Sequence, residues 1–178
     1  TLRICKEPNG HVCKTAISMP LENNANIEET IARVTSNHSW LNDIDVLFGL
    51  NMLRSQFPTV GGLENTVVLS AGESKSLAVR RQNVYIVHTG GNHWITIETK
   101  CHWDYVEIYD SLYDEIPMKT KRIIYTVVSK QKKLRFKKTS KQKGSNDCGL
   151  YSMAIAMDLC DRRDPSEHTY NQSEMRDH

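Results

Sequence analysis

The stretch that decides the fold is residues 144–159, which read GSNDCGLYSMAIAMDL. A glycine-containing polar turn is followed by a mainly apolar run, so the sequence predicts a loop that leads into a buried helix. Cys148 stands where the turn becomes the helix. A helix N-terminus offers unpaired backbone N–H groups and a partial positive charge, which favour the thiolate form of a cysteine. Cys148 is therefore a candidate nucleophile, although a cysteine taken alone is more often a small buried apolar residue.

The composition is that of a globular protein with a sizeable core. The chain has 178 residues, of which 39% are hydrophobic and 25% are charged, and its formal net charge is +2. This length fits a single domain covering residues 1–178, in which the polar and weakly patterned residues 1–38 are interpreted as an N-terminal extension. No apolar run approaches the length of a membrane span, so we expect no membrane segment.

The cysteines indicate the cellular compartment, and the basic residues limit the possible partners. Five cysteines, odd in number and irregularly spaced, favour a reducing compartment, so we expect an intracellular protein of the nucleus or the cytoplasm. Lysines and one arginine crowd residues 130–143. Such a basic run is usually a solvated face, and its alternatives are contact with an acidic partner protein, an anionic cofactor or, ranked last, nucleic acid.

Secondary-structure patterns predict an α+β fold. Period-two alternation and β-branched residues predict strands at 84–88, 94–99 and 105–110, joined by short turns as an antiparallel meander, and a short strand at 134–137. Helical spacing predicts a helix that begins near residue 41, with Asn42 or Asp43 as its N-cap, and ends before Pro58. A further helix is predicted at 121–130. We expect a central, mainly antiparallel sheet flanked by helices, with the nucleophile at the N-terminus of a core helix.

Two predicted strand ends supply partners for the thiol. Because side chains alternate along a strand, His93 shares the apolar face of the second strand and Asp110 shares the apolar face of the third. A buried imidazole beside a buried carboxylate on the neighbouring strand can be held in one tautomer, which a base that serves a thiol nucleophile requires. Each residue alone has a plainer interpretation, as a structural histidine or a turn-forming aspartate.

Other side chains compete for these roles, and none combines apolar-face parity with a strand end as well. The competitors are His88, His102, Asp104 and Asp114. Asp147, next to the nucleophile, is better placed to cap its helix than to orient His93. A metal site would have to combine His88, His93, Cys101 and His102, whose spacing fits no common zinc pattern.

Gln142 is a candidate donor to a developing oxyanion. It lies six residues before Cys148, where its side-chain amide can point toward the same space as the backbone N–H of Cys148. The plainer interpretation is a surface glutamine in a lysine-rich loop.

Taken together, these pieces resemble the ubiquitin-like-protein proteases, that is, the SUMO-specific proteases and their relatives. The matching pieces follow in order as Trp40-Leu41-Asn42-Asp43, His93-Trp94, Asp110, and Gln142 leading to Asp147-Cys148-Gly149. The resemblance covers the chain from about residue 40 to residue 159 and implies a cysteine-protease fold. It implies Cys148 as nucleophile, His93 as general base and then acid, Asp110 as the group that orients His93, and Gln142 as oxyanion donor. The family commonly carries asparagine where this chain has Gly144, so we expect a differently built loop there.

The resemblance also implies a tunnel over a Gly-Gly tail. Its substrate-binding residues would be Trp40, Trp94, Asp43 and Gly149. Strand parity places Trp94 away from the apolar face. The plainer interpretation of each tryptophan is ordinary core packing. Asp43 either contacts a basic residue of the modifier or caps its own helix.

The expected function is that of a cysteine peptidase or isopeptidase that cleaves after a Gly-Gly-like tail of a ubiquitin-like modifier such as SUMO, ubiquitin or a relative. The expected partner is that modifier or its conjugates, the expected state is a monomer, and no metal or organic cofactor is implied. Two alternatives stay open: an acetyltransferase of the related bacterial-effector type, and a catalytically silent module that binds a ubiquitin-like protein.

Overall fold

The structure is a computed structural model and describes residues 24–36, 39–64, 81–128 and 130–176. Its helices are α1 (Asn24–Thr35), α2 (Asp43–Gln56), α3 (Met118–Val127) and α4 (Cys148–Cys160). Its strands are β1 (Gln82–His88), β2 (Trp94–Lys100), β3 (Tyr105–Tyr109) and β4 (Lys133–Phe136), and one short 3-10 helix covers Pro165–Glu167.

The four strands form one sheet in the order β1-β2-β3-β4. The pairs β1–β2 and β2–β3 are antiparallel, as the predicted meander requires, and β4 lies parallel to β3. The prediction of an α+β fold with a central, mainly antiparallel sheet is confirmed. The strand that carries His93 at its start and the strand that ends before Asp110 are therefore neighbours.

Both faces of the sheet are buried. On one face, Ile97 and Ile108 pack with Ile124 of α3. On the other face, Trp94 packs in a core to which α2 and α4 contribute. The prediction that Trp94 points away from the core is wrong, because α4 covers the face that strand parity marked as polar, and Trp94 is 5% exposed. That face also accommodates polar side chains, since the Thr96 hydroxyl donates to the Ser152 carbonyl of α4 at 2.8 Å.

Helix α2 begins with a capping box. The Asn42 side chain accepts hydrogen bonds from the backbone N–H groups of Ile44 and Asp45, at 2.9 and 3.0 Å, and the Asp45 carboxylate accepts one from the Asn42 N–H at 2.9 Å. Of the two predicted N-caps, Asn42 is the one that caps. The helix ends at Gln56, two residues before Pro58, as the restricted backbone before a proline favours.

Helix α1 was not predicted from the sequence. It lies within residues 1–38, which were interpreted as a weakly patterned extension, and the remaining residues 1–23 and 37–38 of that stretch lie outside the described part. Ile27, Ile31 and Val34 recur at helical spacing, but Ile27 and Ile31 are exposed, so burial of an apolar stripe does not hold the helix. Tertiary contacts hold it instead: the Arg33 guanidinium pairs with the buried Asp45 carboxylate at 2.9 Å, and Val34 packs against the core.

The basic run is largely paired within this chain. Four of its lysines contact carboxylates or a carbonyl: Lys132 with the Trp103 carbonyl, Lys133 with Asp104, Lys137 with Asp164, and Lys141 with Asp114. The Arg135 guanidinium lies 3.8 Å from the ring centroid of Tyr105. Much of this charge therefore serves contacts within the fold. Among the described helices, none is both long and apolar enough to cross a bilayer.

The N-terminus of α4 approaches the segment before α2 at Gly149. A Cβ atom added there would lie 2.9 Å from Leu41 Cβ and 3.3 Å from Leu41 Cγ. Because Leu41 is buried and its Cβ is fixed to the backbone, the clash cannot be relieved by a rotamer change alone. Gly149 is therefore required for the two segments to touch.

We expect Gly149→Ala to destabilise the fold by about 1–3 kcal/mol through overpacking, measured by urea denaturation. The matched control is Gly91→Ala, where an added Cβ meets nothing within 4 Å, and which should cost less than about 0.5 kcal/mol. Equal costs for the two variants would contradict the packing role of Gly149.

Candidate active site

A tight turn brings His93 to the start of β2. Gly90 and Asn92 adopt the left-handed conformation, with φ of 79° and 54°, which reverses the chain between β1 and β2. His93 is buried, and its Nε2 atom lies 2.9 Å from Oδ1 of Asp110, which is also buried. The two side chains that strand parity placed together are in hydrogen-bond contact.

The Asp110 carboxylate is fixed by the turn that it begins. β3 ends at Tyr109, and Oδ1 of Asp110 accepts the backbone N–H groups of Leu112 at 2.8 Å and Tyr113 at 3.0 Å. This arrangement is an Asx-type turn, in which an aspartate satisfies N–H groups that follow it. The carboxylate is thus held in place independently of His93 and can orient the imidazole.

Cys148 is the first residue of α4 and is 1% exposed. Its thiol donates to the Asn92 carbonyl at 3.9 Å, which brings the sulfur beside the turn that carries His93. Nδ1 of His93 is buried and makes no hydrogen bond of ordinary geometry within the described part of the chain. Since Nε2 is engaged by Asp110, Nδ1 is the ring nitrogen available to the Cys148 sulfur, with which the ring interacts.

The electrostatics favour a charged imidazole. Burial lowers the pKa of His93, but the hydrogen bonds and negative charges of Asp110 and Cys148 outweigh it and raise the pKa to about 9. His93 is therefore an imidazolium at neutral pH. A positive charge next to the sulfur favours a thiolate, which is the nucleophilic form of a cysteine.

Gln142 is buried close to the acid's turn. Its Oε1 accepts the Ser111 hydroxyl at 2.7 Å, its Nε2 donates to the Gly144 carbonyl at 3.0 Å, and its backbone N–H donates to the Ser111 carbonyl at 2.9 Å. Gly144 has a φ of 78°, in the left-handed region that favours glycine. Gly144, where the sequence predicted a differently built loop, supplies this carbonyl to the Gln142 amide.

The expectation that the Asp147 side chain caps α4 is wrong. Asp147 occupies the N-cap position without a capping hydrogen bond, and its buried carboxylate binds the Arg176 guanidinium and the Gln172 amide instead. The charge of Arg176 explains the difference, because a buried carboxylate gains more from a cation than from a backbone N–H.

The segment that supplies these partners also holds the loop before Cys148 and the end of α1. Gln172 accepts the Lys143 N–H at 2.6 Å and donates to the Lys143 carbonyl at 2.8 Å. Arg176 donates to the carbonyls of Arg33, Val34 and Ser39 at 3.0–3.1 Å. Sequence reasoning missed Ser111, Gln172 and Arg176. The one available signal was that a buried aspartate needs a cation, which does not say which arginine provides it.

The residues expected to bind substrate lie next to one another around Leu41. The Trp94 indole N–H donates to the Leu41 carbonyl at 3.2 Å, while the preceding Trp40 is 41% exposed. Asp43 is exposed as the first residue of α2 and is not its N-cap. Gly149 is buried against Leu41. Their contacts with a substrate stay predictions.

None of the competing residues takes the place of His93 or Asp110, although His88 lies beside the site, with 4.7 Å between the centroids of its ring and that of Trp94. Asp104 and Asp114 pair with Lys133 and Lys141. The turn with Cys101 and His102 follows β2, at the opposite end of that strand from His93, so about 26 Å separates His93 from Cys101 at ~3.3 Å per residue. Burial and the charge of His93 lower the pKa of His88. Among the residues that the structure describes, no cluster of three or more His, Cys, Asp or Glu side chains could hold a metal ion.

Stability should depend on pH through His93. Its pKa is about 9 in the folded protein and about 6.5 in an unfolded chain, so its contribution is fully present below pH 6.5 and is lost as pH rises through 9. We expect the stability advantage of the wild type over His93→Gln to fall by roughly 3 kcal/mol across that interval. Denaturant titrations at several pH values measure it, with the exposed His102 changed to Gln as control. A constant difference between wild type and His93→Gln would refute the prediction.

The ion pair of Asp147 should dominate local stability. Arg176→Ala leaves a buried carboxylate without its cation, and we expect a loss of about 3–5 kcal/mol in the free energy of unfolding. Arg163→Ala is the matched control, because Arg163 pairs with Asp158 while it is 46% exposed, and it should cost no more than about 1 kcal/mol. The prediction fails if both variants unfold at the same denaturant concentration.

Comparisons with known proteins identify the fold. No protein-family model matches the sequence, and no curated protein matches it. The SUMO protease Ulp1, with its catalytic cysteine oxidized to a sulfinic acid, matches with a TM-score of 0.67 at 12% identity, over 86% of this chain and 80% of that one. The C-terminal Ulp1 protease domain in complex with Smt3, the yeast ortholog of SUMO, gives 0.65 at 13% identity, over 86% and 91%. Xanthomonas campestris effector protein XopD bound to ubiquitin gives 0.56 at 12% identity, over 78% and 89%. This protein therefore has the fold of the Ulp1-like SUMO proteases, at low sequence identity.

Proposed function

We propose that this protein is a cysteine peptidase or isopeptidase that cleaves after a Gly-Gly-like C-terminal tail of a ubiquitin-like modifier. The observation that carries the proposal is the meeting of Cys148, His93 and Asp110 at one buried point of the fold. Solved proteins with this fold include the Ulp1 protease domain in complex with Smt3 and the effector protein XopD bound to ubiquitin.

The geometry supports a thioester mechanism. The Cys148 thiolate attacks the carbonyl carbon of the scissile bond, and the negative charge moves to the carbonyl oxygen. That oxyanion accepts the backbone N–H of Cys148 and an N–H of Gln142. His93 gives its proton to the leaving amine as the C–N bond breaks, which leaves a thioester on Cys148. Neutral His93 then takes a proton from water as the water oxygen attacks the thioester carbonyl. The C–S bond breaks to release the carboxylic acid and the Cys148 thiolate, and the proton stays on His93, so the imidazolium–thiolate pair re-forms.

The positions of Trp40 and Trp94 next to Leu41 favour a substrate tail whose residues lack side chains. Trp94 lies beneath the Leu41 carbonyl and forms a fixed wall, whereas the exposed Trp40 offers a free indole face. Two aromatic rings can close on residues that lack side chains, and they would clash with most others. The partner in this proposal is the modifier or its conjugates, bound by a monomer of this protein.

The structure supports hydrolysis over the two alternatives. Much of the basic run is engaged within the chain, which leaves less charge for the anionic ligands that acetyl transfer would need. A silent binding module would have no use for a buried imidazolium poised beside a cysteine, and such perturbed groups cluster at functional sites. We also propose an intracellular site of action, in the nucleus or the cytoplasm, because Cys101, Cys148 and Cys160 are free thiols.

Covalent labelling tests the proposal. Ubiquitin, SUMO and other modifiers carrying an electrophile after their Gly-Gly tails should each be offered to the wild type, and at least one should form an adduct that mass spectrometry places on Cys148. Cys148→Ser should abolish the adduct. Cys101→Ser removes an exposed thiol and should leave labelling unchanged, and Cys160 should not react because burial and Glu98 raise its pKa to about 12.

Two outcomes would overturn the proposal. Transfer of a labelled acetyl group from its coenzyme A thioester to a target protein, without labelling by any tail probe, would assign the transferase alternative. Tight binding of a modifier without an adduct or turnover would assign the silent module.

A further inference from the structure

The residue after the catalytic acid faces the oxyanion side of the site. Asp110 and Ser111 are consecutive in the turn that follows β3, and their side chains contact different partners. The Asp110 carboxylate contacts His93, and the Ser111 hydroxyl donates to Oε1 of Gln142 at 2.7 Å. Ser111 is 2% exposed, so water does not compete for this hydrogen bond.

The chemistry of the neighbours fixes which way the Gln142 amide points. The Gly144 carbonyl can only accept a hydrogen bond, so the amide atom 3.0 Å from it must be Nε2. Oε1 is then the atom that faces Ser111, and it needs a donor. The Ser111 hydroxyl is the donor that satisfies it. A flipped amide would place Oε1 against the Gly144 carbonyl, and two acceptors would then face each other.

One amide proton is left over. Nε2 carries two N–H groups, and within the described residues only the Gly144 carbonyl accepts from it. The backbone N–H of Gln142 is itself tied to the Ser111 carbonyl at 2.9 Å, so both ends of the residue are anchored to the same neighbour. A donor held in one orientation before the reaction stabilises a developing oxyanion better than one that must reorient.

We propose that Ser111 is a positioning residue that holds the Gln142 amide in the orientation an oxyanion donor requires. The dipeptide Asp110-Ser111 then serves both parts of the site, because one side chain orients the base and the next orients the donor. Ser111 acts only through Gln142. This inference rests on the proposed function for its kinetic consequence, but the orientation of the amide can be observed without a substrate.

A double-mutant cycle in the full chain tests the kinetic part, with a modifier whose tail ends in a fluorogenic amide. Ser111→Ala should lower kcat about tenfold with little change in KM, as expected for the loss of one buried hydrogen bond that matters in the transition state. Gln142→Ala should lower kcat about 10²- to 10³-fold. The double variant should be no slower than Gln142→Ala, because Ser111 has nothing left to position.

The controls separate positioning from packing. Ser152→Ala removes another serine hydroxyl that is 2% exposed, on the helix that carries the nucleophile, and should leave kcat unchanged. Ser111→Cys keeps a weak donor of similar size and should give a kcat between those of wild type and Ser111→Ala, and it replaces Ser111→Ala if that variant does not fold.

NMR of the side-chain amide supplies a readout that needs no turnover. In the wild type the Gln142 Nε2 protons should give two distinct resonances that exchange slowly with water. In Ser111→Ala they should shift and exchange faster, while the resonances of Gln172 stay in place. An unchanged Gln142 signal, an unchanged kcat in Ser111→Ala, or a further loss in the double variant would overturn the inference. Failure of the wild type to process any tail would count against the proposed function alone, and the amide resonances would still decide the role of Ser111.

Discussion

Oδ1 of Asp110 accepts three hydrogen bonds, two from the backbone N–H groups that follow it and one from Nε2 of His93. The two backbone donors are part of the turn after β3, so the position of the carboxylate is set by the chain itself. The carboxylate in turn sets the plane of the imidazole and turns its other nitrogen toward the sulfur. The raised pKa of His93, and with it the charge beside Cys148, follows from this contact and from the interaction with Cys148, which together outweigh the opposite effect of burial.

A second carboxylate complicates the same site. Asp147 is buried directly before Cys148, and an unpaired negative charge at that distance would oppose a thiolate and compete for the proton of His93. Arg176 offsets that charge because its guanidinium pairs with Asp147. The site thus contains two acids with separate cationic partners, one that tunes the base and one that is neutralised. This separation requires the loop before Cys148, helix α4 and the segment with Gln172 and Arg176 to keep their positions relative to one another.

Local patterns in the sequence predict most of the scaffold and the side chains that meet at the candidate site. The meander, the helix that starts at Cys148, and the strand ends with His93 and Asp110 depend on spacing over a few residues, which alternation and turn chemistry encode. Other features depend on partners far away along the chain. Trp94 is buried because α4 covers its face, α1 is held by the pairing of Arg33 with Asp45, and Arg176 reaches carbonyls 137–143 residues earlier. Neither periodicity nor composition records such contacts.

The contacts of Arg176 and Gln172 also have a consequence for the order in which the parts of the site are synthesised. A growing polypeptide acquires its imidazole and its acid first, then its thiol, and only 24 to 28 residues later the two side chains that secure the loop around the thiol. Domains generally fold as units during synthesis, so a growing chain would carry the cysteine before the contacts that hold its loop in place can form. The loop around Cys148 would thus take its final arrangement only after Gln172 and Arg176 have been added to the chain.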